Sequence, residues 1–167
     1  LYGASYHQDR ESVAWALKPE HQREDFALME ELGASAIRLA HYQHDKIVYD
    51  LADQKGFVLS TEIPLVSEQG DGQAFIDNAE EQLKELIRQN YNHPSIIFWG
   101  LFNELAPQRT GIDAVPMVER LQTVAKTEDP YRLTSSTGLH SSEGMPHWKI
   151  ADVSGTNLYF GWYYGKF

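Results

Sequence analysis

The residues most suited to chemistry are acids and amides placed after apolar runs. Asn103 and Glu104 follow Ser95-Ile96-Ile97-Phe98-Trp99-Gly100-Leu101, the most apolar stretch of the chain. A carboxyl in that position projects from a strand end into a cleft, where burial or a neighbouring carboxylate raises its pKa and suits it to general acid/base work. Asn103 can hydrogen-bond a substrate hydroxyl. The competing reading is that Asn-Glu merely opens a loop or caps a helix. Glu62 ends Ser60-Thr61-Glu62-Ile63-Pro64 and is either a second carboxylate or an ion-pair partner for Arg38. Two carboxylates would form a glycosidase-like pair, whose separation decides between retention and inversion.

Other chemistries find less support. His41 and His44 are three apart, a spacing that can hold a metal on a helix, but His-Glu-x-x-His is absent and no closed ligand set is visible, so no metal ligands are assigned. His41 reads as a contact for a polar substrate or as part of a core network. His93, before Pro94, reads as structural. Ser5, Ser67, Ser135 and Ser154 lie in no G-x-S-x-G elbow, which argues against a serine hydrolase. Trp99 reads as core. Trp162, in Gly161-Trp162-Tyr163-Tyr164, reads either as a sugar platform or as plain packing.

The elements that must position these residues alternate regularly. Helices are expected over 19–32, 45–55, 74–90 and 113–127, with a helical turn near 147–150. Pro19 suits a first helical position, and Gly33 and Gly56 suit stops. Phe26, Met29 and Leu32 form the first apolar stripe; Ile76, Ala79, Leu83, Leu86 and Ile87 form the longest. Strands are expected over 1–6, 36–39, 57–61, 95–101, 131–137 and 152–159. Strand-helix alternation implies a parallel sheet. An open doubly wound sheet would want a Gly-rich phosphate turn after the first strand, and none is present. Instead, polar residues crowd the strand C-termini: His7 and Asp9, Arg38 and His41, Glu62, Asn103 and Glu104, Thr137 and His140, Asn157 and Tyr159. That is the pattern of a (β/α)₈ barrel, which takes about 250 residues when complete. The expected fold is therefore a partial TIM barrel of six parallel strands in a single domain over 1–167.

Composition narrows the partners. The chain has 167 residues, 14 Lys+Arg, 24 Asp+Glu and a net charge of -10. This balance argues against nucleic acid and against an anionic membrane surface. No apolar run approaches the roughly 18 residues of a membrane span. The absence of cysteine excludes disulfides and thiolate chemistry but is silent on compartment. Leu1 in place of Met reads as a processed chain or an excised piece.

The motifs converge on one family. The sequence resembles the catalytic barrel of family 2 glycoside hydrolases, the β-galactosidase and β-glucuronidase group. The resemblance rests on Tyr6-His7-Gln8-Asp9, Leu32-Gly33-Ala34-Ser35-Ala36-Ile37-Arg38-Leu39-Ala40-His41-Tyr42, Tyr49-Asp50-Leu51-Ala52-Asp53 and Thr61-Glu62-Ile63-Pro64. It continues through Asn92-His93-Pro94-Ser95-Ile96-Ile97, Asn103-Glu104 and Asn157-Leu158-Tyr159-Phe160-Gly161-Trp162-Tyr163. The Arg38-Leu39-Ala40-His41-Tyr42-Gln43-His44 form looks like the bacterial β-galactosidase branch.

The resemblance implies retaining hydrolysis of terminal β-D-galactosides, with Glu104 as acid/base and Asn103 on the sugar 2-hydroxyl. His7, Asp9, Arg38 and His41 fall on positions lining the terminal sugar subsite. Asn157 and Tyr159 fall near the nucleophile. That nucleophile is a Glu at the end of a seventh strand in the family, whereas no Glu here lies beyond Glu143, which precedes the sixth strand. The expected chain therefore holds the acid/base without its partner and is inactive alone. The alternatives are β-glucuronidase-type specificity, a non-catalytic carbohydrate-binding or structural fragment, and recruitment of Glu62 as nucleophile. No cofactor is required by the resemblance, although some relatives hold a divalent cation such as Mg near the acid/base. Bacterial cytoplasm and periplasm both remain open. Open first and sixth strands would favour self-association, or pairing with further domains of a parent enzyme.

Overall fold

A computed structural model describes residues 1–139, 144–163 and 165. Six parallel strands form one sheet in sequence order: β1 (Gly3–Tyr6), β2 (Ala36–Leu39), β3 (Val58–Glu62), β4 (Ile96–Asn103), β5 (Leu133–Leu139) and β6 (Val153–Asn157). The helices between them are α1 (Pro19–Glu31), α2 (Lys46–Lys55), α3 (Gln73–Asn90), α4 (Pro107–Thr110) and α5 (Val115–Glu128). A 3₁₀ turn (Pro146–Lys149) precedes β6. The expected elements are present, with boundaries shifted by up to two residues at most ends. The short α4 is additional. It starts at Pro107 and stops at Gly111, whose φ of 72° is a left-handed helix end.

Local sequence explains the joints. Asp45 caps α2 by accepting the Ile47 N–H at 3.4 Å, and Gly56 closes it at φ 76°. Phe26 and Met29 are buried on α1, but Leu32 is 58% exposed. It falls just past the last helical residue, where the chain turns away from the core. On α3 the residues Ala79, Leu83, Leu86 and Ile87 are buried as their spacing requires.

The strands alternate in role. Ile37, Leu39, Leu59 and Thr61 are buried toward the helices, where the Tyr49 hydroxyl meets Thr61 Oγ1 at 3.0 Å. Arg38, Ser60 and Glu62 occupy the alternate positions, which point to the other face of a strand. The sheet is strongly curled. Arg38 on β2 and Asn157 on β6 are four strand positions apart, about 19 Å in a flat sheet. Their side chains nevertheless hydrogen-bond at 3.5 Å. The fold is thus a partial TIM barrel, concave on the Arg38 face. Gly100 on β4 makes room on that face: a Cβ there would sit 2.5 Å from Glu62 Cβ, its register partner on β3. Away from the concave face, Trp99 is fully buried and donates to Asp129 at 3.0 Å, while Arg132 stacks over its ring.

Candidate active site

The carboxyl ends of β2, β3, β4 and β6 meet in one polar network. Glu62, the last residue of β3, is 2% exposed. Arg38 grips it with both arms of its guanidinium, Nε to Oε2 and Nη2 to Oε1, each at 2.9 Å. His41 Nδ1 lies 2.5 Å from the same Oε1 and 3.4 Å from Arg38 Nη2. The shorter contact takes the proton, so Nδ1 donates to Glu62. Both Glu62 oxygens are therefore occupied by donors, and its role here is that of an ion-pair anchor.

Arg38 also orients two amides. Its Nη2 donates to Asn103 Oδ1 at 2.8 Å, and its Nη1 to Asn157 Oδ1 at 3.5 Å. Asn157 Nδ2 donates to Asn103 Oδ1 at 3.2 Å and to Glu104 Oε1 at 2.5 Å. Asn103 Oδ1 is thus engaged twice, which leaves its amide nitrogen as the end able to donate to a ligand. The Asn103 backbone is pinned by the segment after β3: its N–H donates to Leu65 O, and its carbonyl accepts from Ser67 N, both at 2.9 Å.

Glu104 leaves the strand with a φ of 56°. This left-handed conformation costs a non-glycine residue about 1 kcal/mol. Its N–H is held by Thr137 O on β5 at 2.7 Å. The turn aims the carboxylate at Asn157. Tyr159 joins from the β6 side: burial raises its pKa, the Glu104 charge raises it further, and a hydrogen bond to Glu104 acts in the same direction.

The other expected residues are less integrated. His7 is exposed, with its ring 5.3 Å from that of His41. Asp9 is exposed in the loop after β1, and its charge is felt at the Tyr42 hydroxyl. Trp162 is 80% exposed, and its described ring neighbour is Tyr163 rather than a member of the network. His140 and Glu143 lie outside the described residues. His93 pairs with Asp53 at 2.6 Å, near the amino end of β4 and so at the opposite end of the sheet. His41 and His44 are not on a helix. His44 is buried, and its Nε2 donates to Ala40 O at 3.2 Å. Trp15 and Tyr42, with ring centroids 5.0 Å apart beside His7, were not among the expected site residues. The available signal was a lone Trp in the polar loop directly after the first strand.

Among the described residues, no three His, Asp or Glu side chains cluster as metal ligands. An Mg ion wants several oxygen ligands, but the Glu62 oxygens are taken by Arg38 and His41, and Glu104 Oε1 by Asn157. These residues do not fit a divalent ion.

An Asn-Glu pair at a barrel strand end, fixed by an arginine from another strand, is equipped for acid/base work on a polar ligand. The family model for the TIM barrel domain of family 2 glycosyl hydrolases matches residues 1–166. The chain belongs to this family. A β-glucuronidase of Bacteroides fragilis is 46% identical over 170 residues, covering 98% of this chain and 24% of that protein. The structure of an FMN-binding β-glucuronidase from Facaelibacterium prausnitzii L2-6 superposes with a TM-score of 0.93 at 44% identity, over 99% of this chain and 26% of that one. A Bacteroides fragilis structure provisionally described as a β-galactosidase gives 0.89 at 39% identity, over 98% and 24%. The family 2 chain described here thus spans about a quarter of the length of these relatives.

Proposed function

We propose that this family 2 domain carries the acid/base half of a retaining exo-β-glycosidase, with Glu104 as the proton donor. The observation that carries the reading is the Asn157–Glu104 hydrogen bond at the mouth of the curled sheet, which ties the Asn-Glu carboxylate to the polar network. Asn103 presents an amide donor to a sugar hydroxyl. Arg38 and His41 bound the subsite, His7 and Asp9 flank it, and Tyr159 supports the Glu104 carboxylate. Trp162, exposed beside Tyr163, is the candidate for an outer sugar platform.

Retention needs a nucleophilic carboxylate about 5 Å from the acid/base. Glu62 is unsuited, because Arg38 and His41 occupy both its oxygens. We place the nucleophile on polypeptide outside this chain. The isolated chain then binds glycosides without turning them over.

For the sugar, similarity to β-glucuronidases favours a terminal β-D-glucuronide over the β-D-galactoside expected from the 38–44 motif. A neutral galactoside is the second reading. It is favoured by the pairing of Arg38 with Glu62, which neutralises the cation at the centre of the network.

The test is binding and hydrolysis of aryl β-D-glucuronides and β-D-galactosides by this chain. The expected result is weak binding, stronger for the glucuronide and weakened by Asn103→Ala, with turnover at background. Turnover abolished by Glu62→Gln would overturn the nucleophile placement. Binding of neither sugar would overturn the glycoside reading.

A further inference from the structure

The loop between β1 and α1 holds a large aromatic ring out in solvent. Trp15 is 67% exposed. Its inner face lies against Tyr42 at 5.0 Å and 35°, and Tyr42 in turn stacks on the buried His44 ring at 5.0 Å and 28°. The Tyr42 hydroxyl accepts the backbone N–H of Gln8, which ties the stack to the strand exit. Trp15 is thus the outermost plate of a three-ring pile founded in the core.

The loop is built to hold that position. Arg10 and Ala14 exchange backbone hydrogen bonds at 3.1 and 2.8 Å. Ser12 and Ala14 take positive φ values of 74° and 48°, uncommon for residues with side chains. Arg10 fastens the hairpin to α1 through Glu24 at 2.6 Å and Asp25 at 2.8 Å. Such strain, held by its surroundings, is a pointer to function.

The pile adjoins the polar network. Tyr42 is 6.1 Å from the His7 ring, His7 is 5.3 Å from His41, and His41 contacts Glu62. The loop leaves the same end of the sheet as Asn103 and Glu104. A leaving group that extends from the network across the β1–β2 side of the sheet mouth would meet this flat apolar face. Indole faces suit such ligands through stacking and apolar contact.

We propose that Trp15, backed by Tyr42, is the binding platform for the aglycone, recognising a flat aryl leaving group. This rests on the glycoside reading above. Neither residue belongs to the set expected to hold the terminal sugar.

The experiment compares phenyl with methyl β-D-glucuronide, and phenyl with methyl β-D-galactoside, binding to the full chain by calorimetric or NMR titration. The phenyl compound should bind three- to tenfold more tightly than the methyl compound of the same sugar, about what one aromatic stacking contact supplies. Trp15→Ala should bring the phenyl affinity down to that of the methyl compound, and Trp15→Phe should keep most of the preference. Because Trp15 is exposed, its removal opens no core cavity, and circular dichroism of the variant checks the fold. Equal binding of phenyl and methyl compounds by the native chain overturns the platform and leaves the glycoside reading intact. A phenyl preference that survives Trp15→Ala does the same. Binding of neither compound overturns the platform together with the reading beneath it.

Discussion

Asn157 Nδ2 stands 2.5 Å from Glu104 Oε1, joining the end of β6 to the residue that follows β4. No neighbouring-strand pairing produces this contact, since β5 lies between the two strands. It exists because the sheet curls and because Glu104 turns out of its strand. Asn157→Ala should therefore free the carboxylate without unfolding the chain. Hydrogen bonds to charged groups are worth about 1.5–3 kcal/mol, and the partial exposure here places the loss at the lower end. The melting temperature should fall by about 3–6 °C, and glycoside affinity, measured by titration, should fall with it because the carboxylate is no longer held in place.

Arg38→Met should be more damaging to the fold. It leaves the Glu62 carboxylate buried without its bidentate partner. Removing one member of a buried pair costs about 3–5 kcal/mol. Arg38 keeps some solvent access, so the lower figure applies. Urea unfolding should show the loss, and Arg38→Lys should recover little of it, because an ammonium cannot make two parallel bonds to one carboxylate. A loss below about 1 kcal/mol would contradict the anchor role.

His44 gives the chain an acid-sensitive core. Burial lowers its pKa from the ordinary 6.5 to about 4, with the Ala40 carbonyl and the Glu62 charge opposing and the nearby His7 assisting. Its Nε2 donates to Ala40 while Nδ1 has no partner, so a proton on Nδ1 would be a buried charge without an acceptor. Between pH 6.5 and 4 the unfolded chain binds a proton that the folded chain refuses. Stability is therefore full above pH 6.5 and falls as pH drops to 4, by an amount on the order of 3 kcal/mol. His147, also lowered by burial, adds to the same trend. Asp53, Asp129 and Asp152 do not share this window. Burial would raise them, but hydrogen-bond partners outweigh it and hold them below 3.8. Denaturant titrations at pH 7 and pH 4.5 should show a gap that narrows in His44→Gln.

Both sheet edges invite company. Among the described residues, β1 pairs only with β2 and β6 only with β5. Val153 on β6 is 40% exposed. Unpaired edges template further strands, and an edge lysine discourages them. Sedimentation should reveal concentration-dependent association that Val153→Lys weakens. A monodisperse monomer across the accessible concentration range would count against it.

Apolar runs, helix stops and polar strand ends determined much of this protein in advance. The 95–101 run is legible as a strand because it is a short, nearly continuous apolar stretch bounded by Pro94 and the polar Asn103-Glu104 pair. The helix over 74–90 is legible because Ala79, Leu83, Leu86 and Ile87 fall on one face. The Asn103-Glu104 pair and Arg38 could be singled out from residue type and position alone. What the sequence left open was the role of Glu62, offered equally as second carboxylate or ion-pair partner. Its role was decided by Arg38, 24 residues away in sequence and bonded to both its oxygens. The pairing of Trp15 with Tyr42 is illegible in the sequence for the same reason: it joins two loops whose proximity no local pattern encodes. Periodicity reports which face of an element is buried. It carries no information about how far a sheet curls, and that curl brings Arg38 to Asn157 and, together with the left-handed turn at Glu104, Asn157 to Glu104.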